Sequence, residues 1–206
     1  ILWKGPTKED DRDGQVTVVE DFIARRVDGI ILAPLDDRAL VRPVEEARRE
    51  NIPVVIIDSP LMGGGYVSYI ATDNYKGGVI GAECLGKILG GKGRIFLIRC
   101  HVGAASTILR EQGFLETTQK KYPDIEFLVK DIYAGASMES AYLTMENLLN
   151  RFPDVEGIFC PNESTTFGSL RALQDKGLAG KVKFVGFDSS QKLVDGLRQG
   201  YIHGLV

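Results

Sequence analysis

The chain has 206 residues, 44% hydrophobic and 26% charged, with 25 Lys+Arg against 28 Asp+Glu for a net charge of −3. That balance belongs to a folded domain rather than a disordered one, and it lacks the basic footprint that nucleic-acid binding requires. No run of about 18 or more apolar residues is present to serve as a membrane-spanning helix.

In chain order, short β-branched runs alternate with longer amphipathic stretches. "QVTVVEDFIARRV" (15–27) reads as a helix with Val16, Val19, Phe22 and Ile23 on one stripe. "DGIILAPL" (28–35) reads as a strand. In "RALVRPVEEARREN" (38–51), Leu40, Val41, Val44 and Ala47 share a helical face. Pro43 falls in the first turn there, where its missing N–H is tolerated. "IPVVIIDS" (52–59) and "YVSYIATD" (66–73) read as strands joined through "LMGGG" with no helix between them. That interruption of the alternation places a lobe boundary near Ala71–Asp73, giving an N-terminal lobe of residues 1–72 and a C-terminal lobe of 73–206.

"NYKGGVIGAECLGKILGG" (74–91) reads as a helix presenting Ile80, Cys84 and Ile88 at i, i+4 and i+8, and ending in glycines. Then come the strand "GRIFLIRC" (93–100), the helix begun by "ASTILREQGF", and the strand "IEFLVKDIY" (125–133). Ser137 and Ser140 give a weak start signal for the helix in "SMESAYLTMENLLNRFP". The strands "VEGIFCPN" (155–162) and "VKFVGFDS" (182–189) alternate with the helices "ESTTFGSLRALQDKGL" and "SQKLVDGLRQG", and "YIHGLV" reads as a further strand. The alternation implies an α/β fold of two doubly wound parallel-sheet lobes, its apolar strands covered on both faces. The opening Ile1-Leu2-Trp3 reads like the middle of a strand, and no leader peptide is visible.

Catalytic signatures are missing. Asp58 is followed by Ser59-Pro60 and Asp188 by Ser189-Ser190, with no second acid two residues on; there is no Gly-x-Ser-x-Gly elbow and no phosphate-binding loop. "GGKGR" (90–94) follows a helix and precedes a strand, so it reads as a helix stop and turn. Cys84, Cys100 and Cys160 have no metal-ligand spacing and read as small buried hydrophobes. His101 and His203 suggest no metal site. No enzyme activity, cofactor or metal is expected.

What the pattern does supply is a set of polar groups at strand ends. Asp58, Asn162 and Asp188 each close an apolar run, and in open parallel sheets ligands collect at the carboxyl ends of strands. The bland alternative is that they cap the helices that follow. With Arg110 they form a mix of acceptors and donors suited to a neutral polyol, whose hydroxyls both donate and accept.

At these residues the sequence resembles the type I periplasmic sugar-binding proteins of the ribose-binding class. "IATDNYKGG" (70–78), "LREQGF" (109–114), "CPNESTTFGSLRALQ" (160–174) and "FVGFDSS" (184–190) look like that family's segments, in order and spacing. The resemblance implies two lobes closing on a monosaccharide or similar polyol, delivery to an ABC permease in the membrane, and a periplasmic or lipid-anchored extracytoplasmic location. It implies that Asp58 accepts from sugar hydroxyls, that Arg110 donates from the second lobe, and that Asn162 and Asp188 are further second-lobe ligands. Ser59, expected with Asp58 among the ligand-binding residues, stands where ribose binders have an Arg, and Ala33 where they have an Asn before Pro34, so ribose itself is not implied. Tyr133 is the nearest match to the family's stacking aromatic, with Ala136 the alternative alignment. The family's opening strand and closing segments have no counterpart, so the chain is expected to be part of a longer protein. The competing readings are the effector domain of a lactose-repressor-like regulator and the sensory ectodomain of a receptor kinase. "GGKGRIF" and "GKVKFVGFD" lean away from the repressor class.

Overall fold

The computed structural model describes residues 1–206. They form two compact units, one of Ile1–Thr72 with Gly103–Ser106, the other of Asp73–Val102 with Thr107–Val206.

The first unit contains α1 (Arg12–Ala24), β1 (Ile30–Leu32), α2 (Val41–Arg49), β2 (Val54–Ile57) and β3 (Ser68–Ile70). Its three strands are parallel in the order β1-β2-β3. Helix α1 starts three residues before Gln15, where the sequence reading began it, because Asp11 caps it, accepting from the Gly14 amide. Val19, Ile23, Val44 and Ala47 pack on Ile30, Leu32, Val54 and Ile56. The other face of the sheet differs from the expectation of double coverage: Ile31 and Ile70 are exposed there, because both helices of this unit lie on one side. Ile1–Trp3 form no strand and are exposed.

The second unit contains α3 (Asn74–Ile88), β4 (Lys92–Arg99), α4 (Ala105–Lys121, whose first two residues belong to the first unit), β5 (Asp124–Tyr133), α5 (Met138–Arg151), β6 (Gly157–Phe159), α6 (Glu163–Asp175), β7 (Lys183–Gly186), α7 (Gln191–Arg198) and β8 (Gly204–Leu205). Its strands are all parallel in the order β5-β4-β6-β7-β8. Chain order reverses between β4 and β6. Successive crossovers leave that point toward opposite edges of the sheet, opening a crevice beyond the strand ends. Phe96, Ile98, Ile158 and Phe184 face one core, while Ile95, Leu97, Phe159 and Val185 face another.

Helix α3 corrects the sequence reading. Ile80 is exposed and Cys84 and Ile88 are only partly buried; the buried face is Asn74, Gly77, Gly78, Gly81, Ala82, Leu85 and Gly86. The apolar periodicity marked the wrong stripe because this face packs through missing side chains. A Cβ at Gly78 would run into the Arg110 carbonyl oxygen, and one at Gly113 into the Tyr75 carbonyl oxygen. Helices α3 and α4 therefore meet backbone to backbone. Cys100 and Cys160 are buried, and none of the three cysteines forms a disulfide. The Ser137 signal is a capping box closed by Ser140.

Candidate functional site

The two strand-end aspartates share one local geometry. Strand register ends at Ile57, one residue before Asp58, and at Gly186, two residues before Asp188, and each aspartate's amide then donates to the neighbouring segment: Asp58 to the Ile70 carbonyl and Asp188 to that of Val206, both at 3.1 Å. Each then turns into the left-handed region, with φ of 64° at Asp58 and 72° at Asp188. For a non-glycine residue that conformation costs on the order of 1 kcal/mol, and strain of this kind concentrates at functional sites. Asp58 is followed by β3, without an intervening helix to cap. Asp188 accepts from the Glu163 amide at 2.8 Å, at the start of α6.

In the second unit Arg110, Asn162 and Asp188 come together at the carboxyl ends of β4, β6 and β7. Arg110, in the second turn of α4, is only 7% exposed. Its Nε donates to Asn74 Oδ1 and its Nη1 to the Pro161 carbonyl oxygen, both at 2.8 Å. Its guanidinium carbon lies 3.8 Å from the centroid of the Phe187 ring, and Nη1 is 4.0 Å from Asp188 Oδ1. The chain reversal between β4 and β6 thus holds a buried cation facing an acid at the end of β7.

Asn162 is the N-cap of α6. Its Oδ1 accepts from the Thr165 amide and hydroxyl, and its Nδ2 donates to the Ser164 hydroxyl at 2.9 Å. Buried Thr166 ties the two loops together, donating to the Asn162 carbonyl at 2.7 Å while accepting from the Phe187 amide at 3.2 Å. The capping reading therefore holds for Asn162, which keeps its half-exposed side chain at the strand end while stabilising α6.

In the first unit, Ser59 is 4% exposed, and its hydroxyl donates to Ser106 at 2.9 Å and lies 3.2 Å from Asp58 Oδ2. Tyr133 ends β5 at the sheet edge and is exposed, with the Arg99 guanidinium 5.7 Å from its ring centroid. Arg99 also pairs at 3.5 Å with Glu111, a carboxyl 1% exposed that accepts from the Cys100 amide at 3.1 Å. Burial pushes Glu111 up to about 7, against the pull of that amide and of Arg99. His101 is half-exposed, with its ring near the Val102 carbonyl.

Three contributors went unread in the sequence: Asn74, Thr166 and Phe187. The signal at hand for Asn74 was a polar residue directly after the helix cap Asp73. For Phe187 it was an aromatic immediately before a strand-end acid.

A strained acid at a strand end, a buried guanidinium at a reversal of strand order and a helix-capping Asn beside it set hydrogen-bond donors and acceptors side by side at one end of the sheet. The periplasmic binding protein domain family matches residues 1–206, and the chain belongs to that family. The chain is 35% identical to the periplasmic component of an ABC-type sugar transport system from Hahella chejuensis, with a TM-score of 0.94 over 99% of this chain and 74% of that one. An ABC transporter solute binding protein from Agrobacterium vitis with bound D-fucose is 34% identical, with a TM-score of 0.93, and the match covers 98% of this chain and 70% of that one. The ribose import binding protein of Bacillus subtilis is 28% identical over 198 residues, 96% of this chain. The chain spans 63% of that protein's length.

Proposed function

We propose that this chain is the ligand-holding part of an ABC importer's solute-binding component, and that it takes a monosaccharide or a similar polyol. The observation that carries the reading is the buried Arg110 held opposite Asp188, beside the Asn162 turn. A sugar hydroxyl accepts from a guanidinium and donates to a carboxylate in the same contact, so a donor and an acceptor side by side suit it better than either charge alone. The bound D-fucose in the Agrobacterium protein supports a carbohydrate ligand.

Asp58, at the matching strand end of the first unit, is a further acceptor in this reading, and Tyr133 an apolar surface for a ring. Ser59, with its hydroxyl engaged by Ser106, supports Asp58 rather than contacting ligand. The units beginning at Ile1 and Asp73 are the two lobes. The protein binds and does not transform its ligand. It works outside the cytoplasmic membrane, periplasmic or lipid-anchored, and hands the sugar to a membrane permease.

Thermal-shift screening of the full-length protein tests this. A ligand at a hundredfold excess over its Kd adds about 2.7 kcal/mol of stability, a rise of several degrees. Monosaccharides or polyols should give that rise. Silence from every sugar, with shifts from amino acids or purines, would overturn the carbohydrate reading.

A further inference from the structure

Arg110 is a buried cation whose named acid, Asp188, stands 4.0 Å away and is 40% exposed. A pair that long and that wet does little to fix an orientation. Two neutral groups stand at hydrogen-bond distance: Asn74 Oδ1 on Nε and the Pro161 carbonyl on Nη1. Phe187 forms the floor, its ring centroid 3.8 Å below the guanidinium carbon. Asn74 is 2% exposed and Phe187 4%, so both lie behind Arg110 in the interior.

The sequence builds this mount for Arg110 in a specific way. Asn74 is the first residue of α3, directly after the cap Asp73, which accepts from the Lys76 amide and fixes that turn. One turn on, a Cβ at Gly77 would lie 2.7 Å from the Phe187 ring. Glycine there lets the ring lie against α3 while its other face meets Arg110. The close approach of α3 and α4 at Gly78 brings Asn74 within reach of Nε. A guanidinium is a planar fork, and rotating it redirects every donor it carries.

We propose that Asn74 is a positioning residue for ligand binding, acting through Arg110 by fixing its guanidinium plane on the Phe187 ring. This rests on Arg110 being a ligand donor, as proposed above. Loss of the Asn74 acceptor leaves a buried charged donor unsatisfied and the fork free to turn, an effect of about 10- to 100-fold in affinity.

The test uses the full-length protein in two measurements. The first is the Arg110 Nε–H resonance in nitrogen-15 spectra without ligand. A single, slowly exchanging signal is expected in the wild type and in Asn74→Asp, which keeps the acceptor, and its broadening or loss in Asn74→Ala. The second is calorimetric titration with D-fucose, D-ribose and D-arabinose. Asn74→Ala should weaken the sugar that binds by about 10- to 100-fold, and Asn74→Asp should restore it to within about threefold. Phe187→Leu, which keeps a buried apolar side chain and removes the ring, should broaden the same resonance and stands in if Asn74→Ala does not fold. An unchanged Nε–H signal in the variants overturns the inference whatever binds. Unchanged affinity with an altered signal overturns it as well. A wild type that binds no sugar removes the carbohydrate reading and with it any role of Asn74 in binding, while the resonance still reports whether Asn74 orients Arg110.

Discussion

Glu111→Gln offers a sharp test of the electrostatics around β4. Glu111 is the residue after Arg110 and is buried where Arg110 is, but it faces the other way, toward the Cys100 amide and Arg99. Burial raises its carboxyl from the ordinary 4.5 to about 7, the amide and Arg99 notwithstanding. A carboxyl raised in this way binds its proton more tightly in the folded protein than in the unfolded chain. Its contribution to stability is fully present below pH 4.5 and is lost as the pH rises to about 7. Each unit of that interval corresponds to about 1.4 kcal/mol, so ionisation removes on the order of 3 kcal/mol by pH 8.

Glutamine mimics the protonated acid and keeps an acceptor for the Cys100 amide. Urea unfolding of the wild type and of Glu111→Gln between pH 4 and pH 8 should therefore give curves that meet at the acid end. They should diverge with rising pH, the variant becoming the more stable by up to about 3 kcal/mol. Taking the difference between the two proteins removes the other titrating groups, His203 and Asp36 among them. Parallel pH profiles, or a variant less stable at pH 8, would show that Arg99 and the Cys100 amide compensate the buried carboxylate fully, and would refute the reasoning.

Two further outcomes follow from particular contacts. Gly78→Ala places a methyl against the Arg110 carbonyl oxygen and the Phe114 amide; it should destabilise the protein by about 3 kcal/mol in urea unfolding and weaken sugar binding, because the backbone of Arg110 is what must move. Asp36 is 8% exposed and accepts from the Arg38 and Ala39 amides at 2.9 Å, with Arg12 at 3.1 Å. Although burial alone would raise its carboxyl, the two amides and Arg12 outweigh that and hold it below its ordinary 3.8. Its contribution is therefore present above that value and lost as the pH falls through the lower folded value, and Asp36→Ala should cost about 1–2 kcal/mol at pH 7, as measured by chemical denaturation, and less in strong acid.

The strands and helices were legible where burial is made by side chains. The strands ending at Ile57, Arg99 and Gly186 carry apolar runs because strands buried in a sheet must, and each stops one to three residues before the end read from the sequence, at Ser59, Cys100 and Ser189. Helix α3 was misread for the same reason inverted: its buried face is glycine, which carries no hydrophobic signal, so the eye falls on Ile80 instead. Arg110 was legible as a donor but not as a buried one. Its partners come from 36 and 51 residues away in sequence, at Asn74 and Pro161, and no local pattern encodes that meeting. The aspartates stood out by position, yet their left-handed backbone could not be read from composition. Asp tolerates that conformation and does not require it. The open face of the first sheet, with Ile31 and Ile70 exposed, was invisible to periodicity, which reports that a side chain is apolar and not what covers it.

The central claim is that Asp188 and Arg110 hold a sugar by its hydroxyls. It is tested most directly by calorimetric titration of a monosaccharide panel into the full-length wild type and into Asp188→Asn, with D-fucose, D-ribose, D-allose and D-arabinose included. Asparagine keeps an acceptor for the Glu163 amide, so the fold of α6 and the unliganded melting temperature should be preserved. The account expects at least one sugar to bind the wild type, and Asp188→Asn to bind it at least about tenfold more weakly, the loss of a charge-assisted hydrogen bond. A panel without binding, or an Asp188→Asn protein that binds as tightly as the wild type, would contradict it.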